Sequence, residues 1–155
     1  MTAKADFTAE EWETVLKGPP AAGLMIAAAQ RGGTFRESYS IAKAYTDARK
    51  EHGASELLDD IVSEKPKVER PHVHSVEELK RGSLDELAAS LTVLESKASP
   101  DEVEQFKQFV VGLAERVAEA HREGFLGFSG ERVSDAERQA VGEVAAALGV
   151  PAPTL

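Results

Sequence analysis

Along this chain a Ser or Thr is repeatedly followed three residues later by Glu, just ahead of residues whose apolar members return every three or four positions. Thr8 precedes Glu11, Thr34 precedes Glu37, Ser75 precedes Glu78, Ser83 precedes Glu86 and Ser134 precedes Glu137. In such a capping box the hydroxyl accepts from the N–H of the third residue, and the carboxylate reaches back to the N–H of the cap. A chain that spells out its helix starts in this way, with little of the alternating pattern of strands, is constrained to an all-α fold. Phe7 and Trp12 flank the first box and are expected to touch, fixing how the chain enters its first helix.

The spacing predicts about eight helices. The first covers 8–18 and stops at Gly18-Pro19-Pro20; the second covers 20–31 and is apolar nearly all round, so it reads as the buried central helix. A third spans 34–52, and a short fourth spans 54–64 before the Pro-bracketed stretch KPKVERPHVHS. A brief helix after Ser75 is expected to break near Gly82, with another over 83–97 carrying Leu84, Leu87, Leu91 and Leu94 on one face. Ser99-Pro100 opens the longest helix, with Pro at the first helical position, where no donor is lost. Its core seam is Val103, Phe106, Val110, Leu113, Val117 and Ala120, and Gly124 ends it. The last helix spans 134–148, closed by Gly149 and Pro151. With 155 residues, the chain reads as one single-domain bundle over 1–150 and a flexible tail at 151–155.

Charge and composition exclude several classes of function. A net charge of −9, with 27 acids against 18 bases, suits neither nucleic acid nor anionic membrane surfaces. No cysteine is present, which excludes thiolate nucleophiles, disulfides, Fe–S clusters and Cys-ligated zinc. The N-terminus MTAKADFTAEEW turns charged too early for a signal peptide, so a cytoplasmic location is expected.

Two stretches rhyme: IAAAQRGGTFRESYSIAKA and VAEAHREGFLGFSGERVSDAERQAVGEVAAA both join a helix end to a new cap and an amphipathic helix. Duplication of a helix pair explains the rhyme, and so does the general likeness of capped helical hairpins. The closing segment SGERVSDAERQAVGEVAAALGV resembles the last helix of the TerB-like family, which includes tellurite-resistance TerB proteins and the N-terminal domain of DjlA-type chaperones. Gly130, Val133, Ser134, Glu137 and the Ala147-Leu148-Gly149 ending match its motif, and Gly33 and Glu37 occupy the corresponding places in the first stretch. The resemblance implies an all-α bundle of two pseudo-symmetric halves, a link to stress response, and metal-associated acidic positions at Glu37 and Glu137. The family's turn Asp is Gly32 in one copy and Ser129 in the other, which leaves both Glu residues without a hard carboxylate partner.

Candidate chemistry is sparse. The loop GFLGFSG at 124–130 follows a helix and lacks the Lys-Ser/Thr of a phosphate cradle, and its glycine spacing does not fit a dinucleotide site. It reads as a joint whose Phe125, Leu126 and Phe128 fold onto the core, or dock a partner where exposed. Phe125, Phe128 and Arg132, with Arg31 and Arg36 at the first joint, are the candidate partner-binding residues. His72 and His74 stand two apart in an extended stretch and face one side, a pair that needs a further ligand before it holds Zn²⁺ or Ni²⁺. His52 and His121 sit at helix C-termini, where the dipole favours them. Adjacent acids such as Asp59-Asp60 diverge by about 100° on a helix and do not converge on one atom. A catalytic pocket, were there one, would draw on Trp12, Tyr39 and Tyr45. The expectation is a non-catalytic helical module without a cofactor. It binds a protein partner (a second copy of itself included) or a small ligand, with metal binding through Glu37/Glu137 or His72/His74 as the alternative.

Overall fold

The computed structural model describes residues 2–29, 36–51, 55–66, 75–122 and 133–155, excluding the side chains of 36–38 and 121–122. Among these residues every regular element is a helix. After a short 3-10 turn at Lys4–Asp6 come α1 (Ala9–Ala29), α2 (Arg36–Lys50), α3 (Glu56–Ser63), α4 (Val76–Lys97), α5 (Pro100–Arg122) and α6 (Asp135–Leu148).

The caps at Thr8, Ser75 and Ser134 form as the sequence spells them. Thr8 and Glu11 exchange hydrogen bonds of 2.9 and 3.1 Å, and Phe7 meets Trp12 with ring centroids 5.5 Å apart. Ser75 and Ser134 accept from the N–H groups of Glu78 and Glu137. Gly149 lies in the left-handed region at φ 69°, and the N–H groups of Gly149 and Val150 close on the carbonyls of Ala146 and Ala145 as a Schellman motif. Ser99 and Glu102 make a further reciprocal box at the start of α5, with the S-x-x-E signal plainly present. The Thr34–Glu37 box falls partly outside the described residues.

Among the described residues six α-helices stand where about eight were expected, because two predicted breaks do not occur. Gly18-Pro19-Pro20 lies buried inside α1. Pro19 cannot donate to the Val15 carbonyl, its partner four residues back. The Ser90 hydroxyl of α4 donates to that carbonyl instead, at 2.9 Å. The approach is possible because residue 18 has no side chain: a Cβ there would stand 2.5 Å from Ser90 Oγ. The predicted central helix is therefore the second half of α1, with Ala22, Met25 and Ile26 fully buried. The other expected break, at Gly82, lies within a continuous α4. Ser83 is accordingly an interior, buried helix residue and not a cap for Glu86. One glycine costs a helix only about 1 kcal/mol, less than the burial of the Leu87 and Leu94 face returns.

Helix α1 runs through the middle, packed mainly on α4 and α5, while α2 and α6 lie against α5. Val103, Phe106, Val110, Leu113 and Val117 of α5 are buried as the seam requires. Arg49 of α2 donates to the carbonyls of Val62 and Glu64, tying the end of α3 to α2. In the final segment, Leu155 is half-buried against the core.

Candidate functional site

The arrangement of α2, α3 and α5 leaves a groove between them with a cavity volume of about 380 Å³. Its apolar lining comes from Ala44 and Ala48 of α2, Leu58 of α3, and Phe109, Gly112 and Leu113 of α5. Small residues one turn apart on α2 keep its backbone low against the groove. A Cβ at Gly112 would meet nothing within 4 Å. The polar lining is Glu51, Asp59, Glu104, Gln105, Gln108 and Arg116. Arg116 is held by Asp47 of α2 at 2.7 Å, and Gln108 donates to Glu104 at 2.9 Å. The Gln105 amide oxygen is buried without a hydrogen-bond partner among the described residues.

A second cavity of about 110 Å³ is lined by Glu13, Leu16 and Lys17 of α1, Tyr45 of α2, and Glu64 and Lys65 after α3. Tyr45 joins the two regions. Its ring meets Phe109 edge-on at 5.3 Å, and its buried hydroxyl has no hydrogen-bond partner among the described residues. Burial pushes the phenol well above its ordinary pKa, with the Arg49 charge pulling the other way.

The remaining shifted groups serve the fold. Glu11 is held near pKa 2 by Lys97 and by the Thr8 cap. Burial pushes Glu102 up, but hydrogen bonds from the N–H and hydroxyl groups of Ser99 and Thr2 outweigh it and hold the carboxyl below its usual range. Glu115 is raised by burial and by Glu119.

Phe125, Phe128, Arg132, Arg31, His72 and His74 lie outside the described residues, as do His52 and the GFLGFSG loop. Arg36 and Glu37 open α2, with side chains outside the description. Glu137 is 1% exposed, and its carboxylate accepts the Ser134 hydroxyl at 2.9 Å in the cap of α6. Among the described residues no three His, Asp or Glu side chains are grouped to hold a metal ion, and no helix is long and apolar enough to cross a membrane. Trp12 packs on Phe7 and Tyr39 is 70% exposed, so of the aromatic trio only Tyr45 lines either cavity.

No family model, no curated protein and no solved structure matches the chain. The groove is therefore read on its own geometry. Sequence reasoning missed it because each face was legible separately, while the gap between three helices depends on how far apart they pack.

Proposed function

We propose that this protein is a non-catalytic helical module that works by holding a small, partly apolar ligand in the groove between α2, α3 and α5. The observation that carries the reading is the groove itself. Its volume of about 380 Å³ is within the range of small-molecule sites, and its apolar floor is edged by a few polar groups, as such sites are. The lowered carboxyls Glu11 and Glu102 are both occupied in helix caps, which supports a binding role over a catalytic one.

The test is a thermal-shift screen of a small-fragment library on the wild-type protein and on Gly112→Leu. Leucine restores helix propensity at a position where a Cβ meets open space, so the variant should fold while its side chain fills the groove. Fragments that raise the wild-type midpoint and leave the variant's unchanged support the reading. A hit set that stabilises both proteins equally, or no hits on the wild type, overturns it.

A further inference from the structure

We propose that the groove selects a small organic cation, an ammonium group carried on an apolar body. The inference rests on the groove being the binding site, and two independent observations choose the ligand's chemistry.

The first is charge. Glu51, Asp59 and Glu104 come from the end of α2, from α3 and from α5 to line the same groove. Arg116 is the cationic residue among the described lining groups, and it is already engaged by Asp47 at 2.7 Å. Asp47 is not part of the lining, so among the described lining residues carboxylates are in excess over positive charge. An anionic ligand entering here meets like charge, while an ammonium group meets complementary charge.

The second is hydrogen bonding. Gln105 lines the groove, and its buried amide oxygen has no hydrogen-bond partner among the described residues. A buried acceptor left unpaired costs free energy that a donor can recover and a second acceptor cannot. An ammonium N–H is such a donor once the Gln105 side chain turns that oxygen to the groove, and the positive charge strengthens the bond. Phe109, Leu58 and Leu113 then provide an apolar wall for the ligand's body. A bare metal ion fits less well. It needs several oxygen ligands closing on one point, a grouping not found among the described residues.

Matched probes separate these ideas: hexylammonium, hexanol and hexanoate, titrated calorimetrically into the full chain at neutral pH. Hexylammonium should bind roughly tenfold tighter than hexanol, with hexanoate weakest. The preference should shrink when salt is raised to about 0.5 M. Asp59→Asn and Glu104→Gln should each weaken the ammonium probe severalfold while leaving hexanol unchanged. Gly112→Leu should abolish binding of all three, with Gly112→Ala as the folded control. Equal affinity for hexylammonium and hexanol overturns the cation assignment and leaves the groove reading standing, as does tightest binding of hexanoate. Ammonium binding that survives in Gly112→Leu overturns the location. No binding of any probe, in a protein whose groove still takes fragments in the thermal screen, overturns the cation assignment alone; silence in both experiments overturns both.

Discussion

A methyl group added at Gly18 would come within 2.5 Å of Ser90 Oγ and 3.4 Å of Phe106 Cζ, whereas one added at Gly82 would meet nothing within 4 Å. Both glycines lie inside helices, so the local gain from alanine is similar, and the surroundings decide the sign. Gly82→Ala should stabilise the protein by roughly 0.5–1 kcal/mol, because exposed helix loses the entropic cost of glycine and gains no clash. Gly18→Ala should destabilise it by about 1–2 kcal/mol, since overpacking against α4 outweighs the same propensity gain. Urea unfolding of the two variants with unchanged m-values measures the contrast directly. Equal signs would mean that α1 and α4 approach less closely than the structure has them. Neither sign was readable from sequence, where both glycines look like helix breakers.

The continuity of α1 depends on a donor supplied from 75 residues along the chain. A proline inside a helix normally strips the carbonyl four residues back, and Ser90 fills that vacancy at Val15. Ser90→Ala should therefore cost about 1–3 kcal/mol, the penalty of an unpaired buried carbonyl. In a Pro19→Ala background residue 19 regains its N–H, which can serve Val15 directly, so the same Ser90→Ala change should cost less than about 1 kcal/mol. The difference is the coupling energy of a double-mutant cycle, read from four denaturation curves. Additive costs would show that the hydroxyl does not replace the missing backbone donor. The Gly-Pro-Pro signal is sound as local chemistry, and a side chain distant in sequence overrides it. Where no such contact intervenes, as at the Thr8 and Ser134 starts and the Gly149 stop, local chemistry and structure agree.

Across the whole molecule, the N-terminal segment is clamped to the junction of α4 and α5 by carboxylates. Lys97 donates to Glu11 at 2.8 Å and to the Asp6 carbonyl at 2.9 Å, while Glu102 accepts from the Thr2 N–H and hydroxyl at 3.0 and 2.9 Å. The hydrogen bond from Lys97 is the largest influence holding Glu11 at about 2, below its ordinary 4.5. A carboxylate depressed on folding contributes stability above its unfolded value, and that contribution is lost as pH falls through the folded one. The thermal midpoint should thus decline as pH is lowered from about 4.5 to about 2, and Glu11→Gln should flatten part of that decline. Glu102, lowered in the same direction, should behave likewise in Glu102→Gln. Glu115 acts with the opposite sign, since burial raises it and protonation relieves its cost. Midpoints measured across this pH range on the wild type and both variants check the assignment. An unchanged slope in both variants would show that the clamp carries no linked protonation.

The all-α class, the caps at Thr8, Ser75 and Ser134, the staple and the core faces of α4 and α5 were determined by the sequence itself, because each depends on residues within one or two turns of one another. Thr8 finds Glu11 and Val103 finds Phe106 on the same stretch of chain. Helix number, the Ser90 rescue of Val15 and the groove were decided only by tertiary structure, because they depend on distances between helices. Local pattern says which face turns inward, and the side chains that meet there set how closely two faces pack. At Gly18 they meet closely enough for a hydroxyl to replace a backbone donor. At Gly112 the space stays open, which makes room for a ligand.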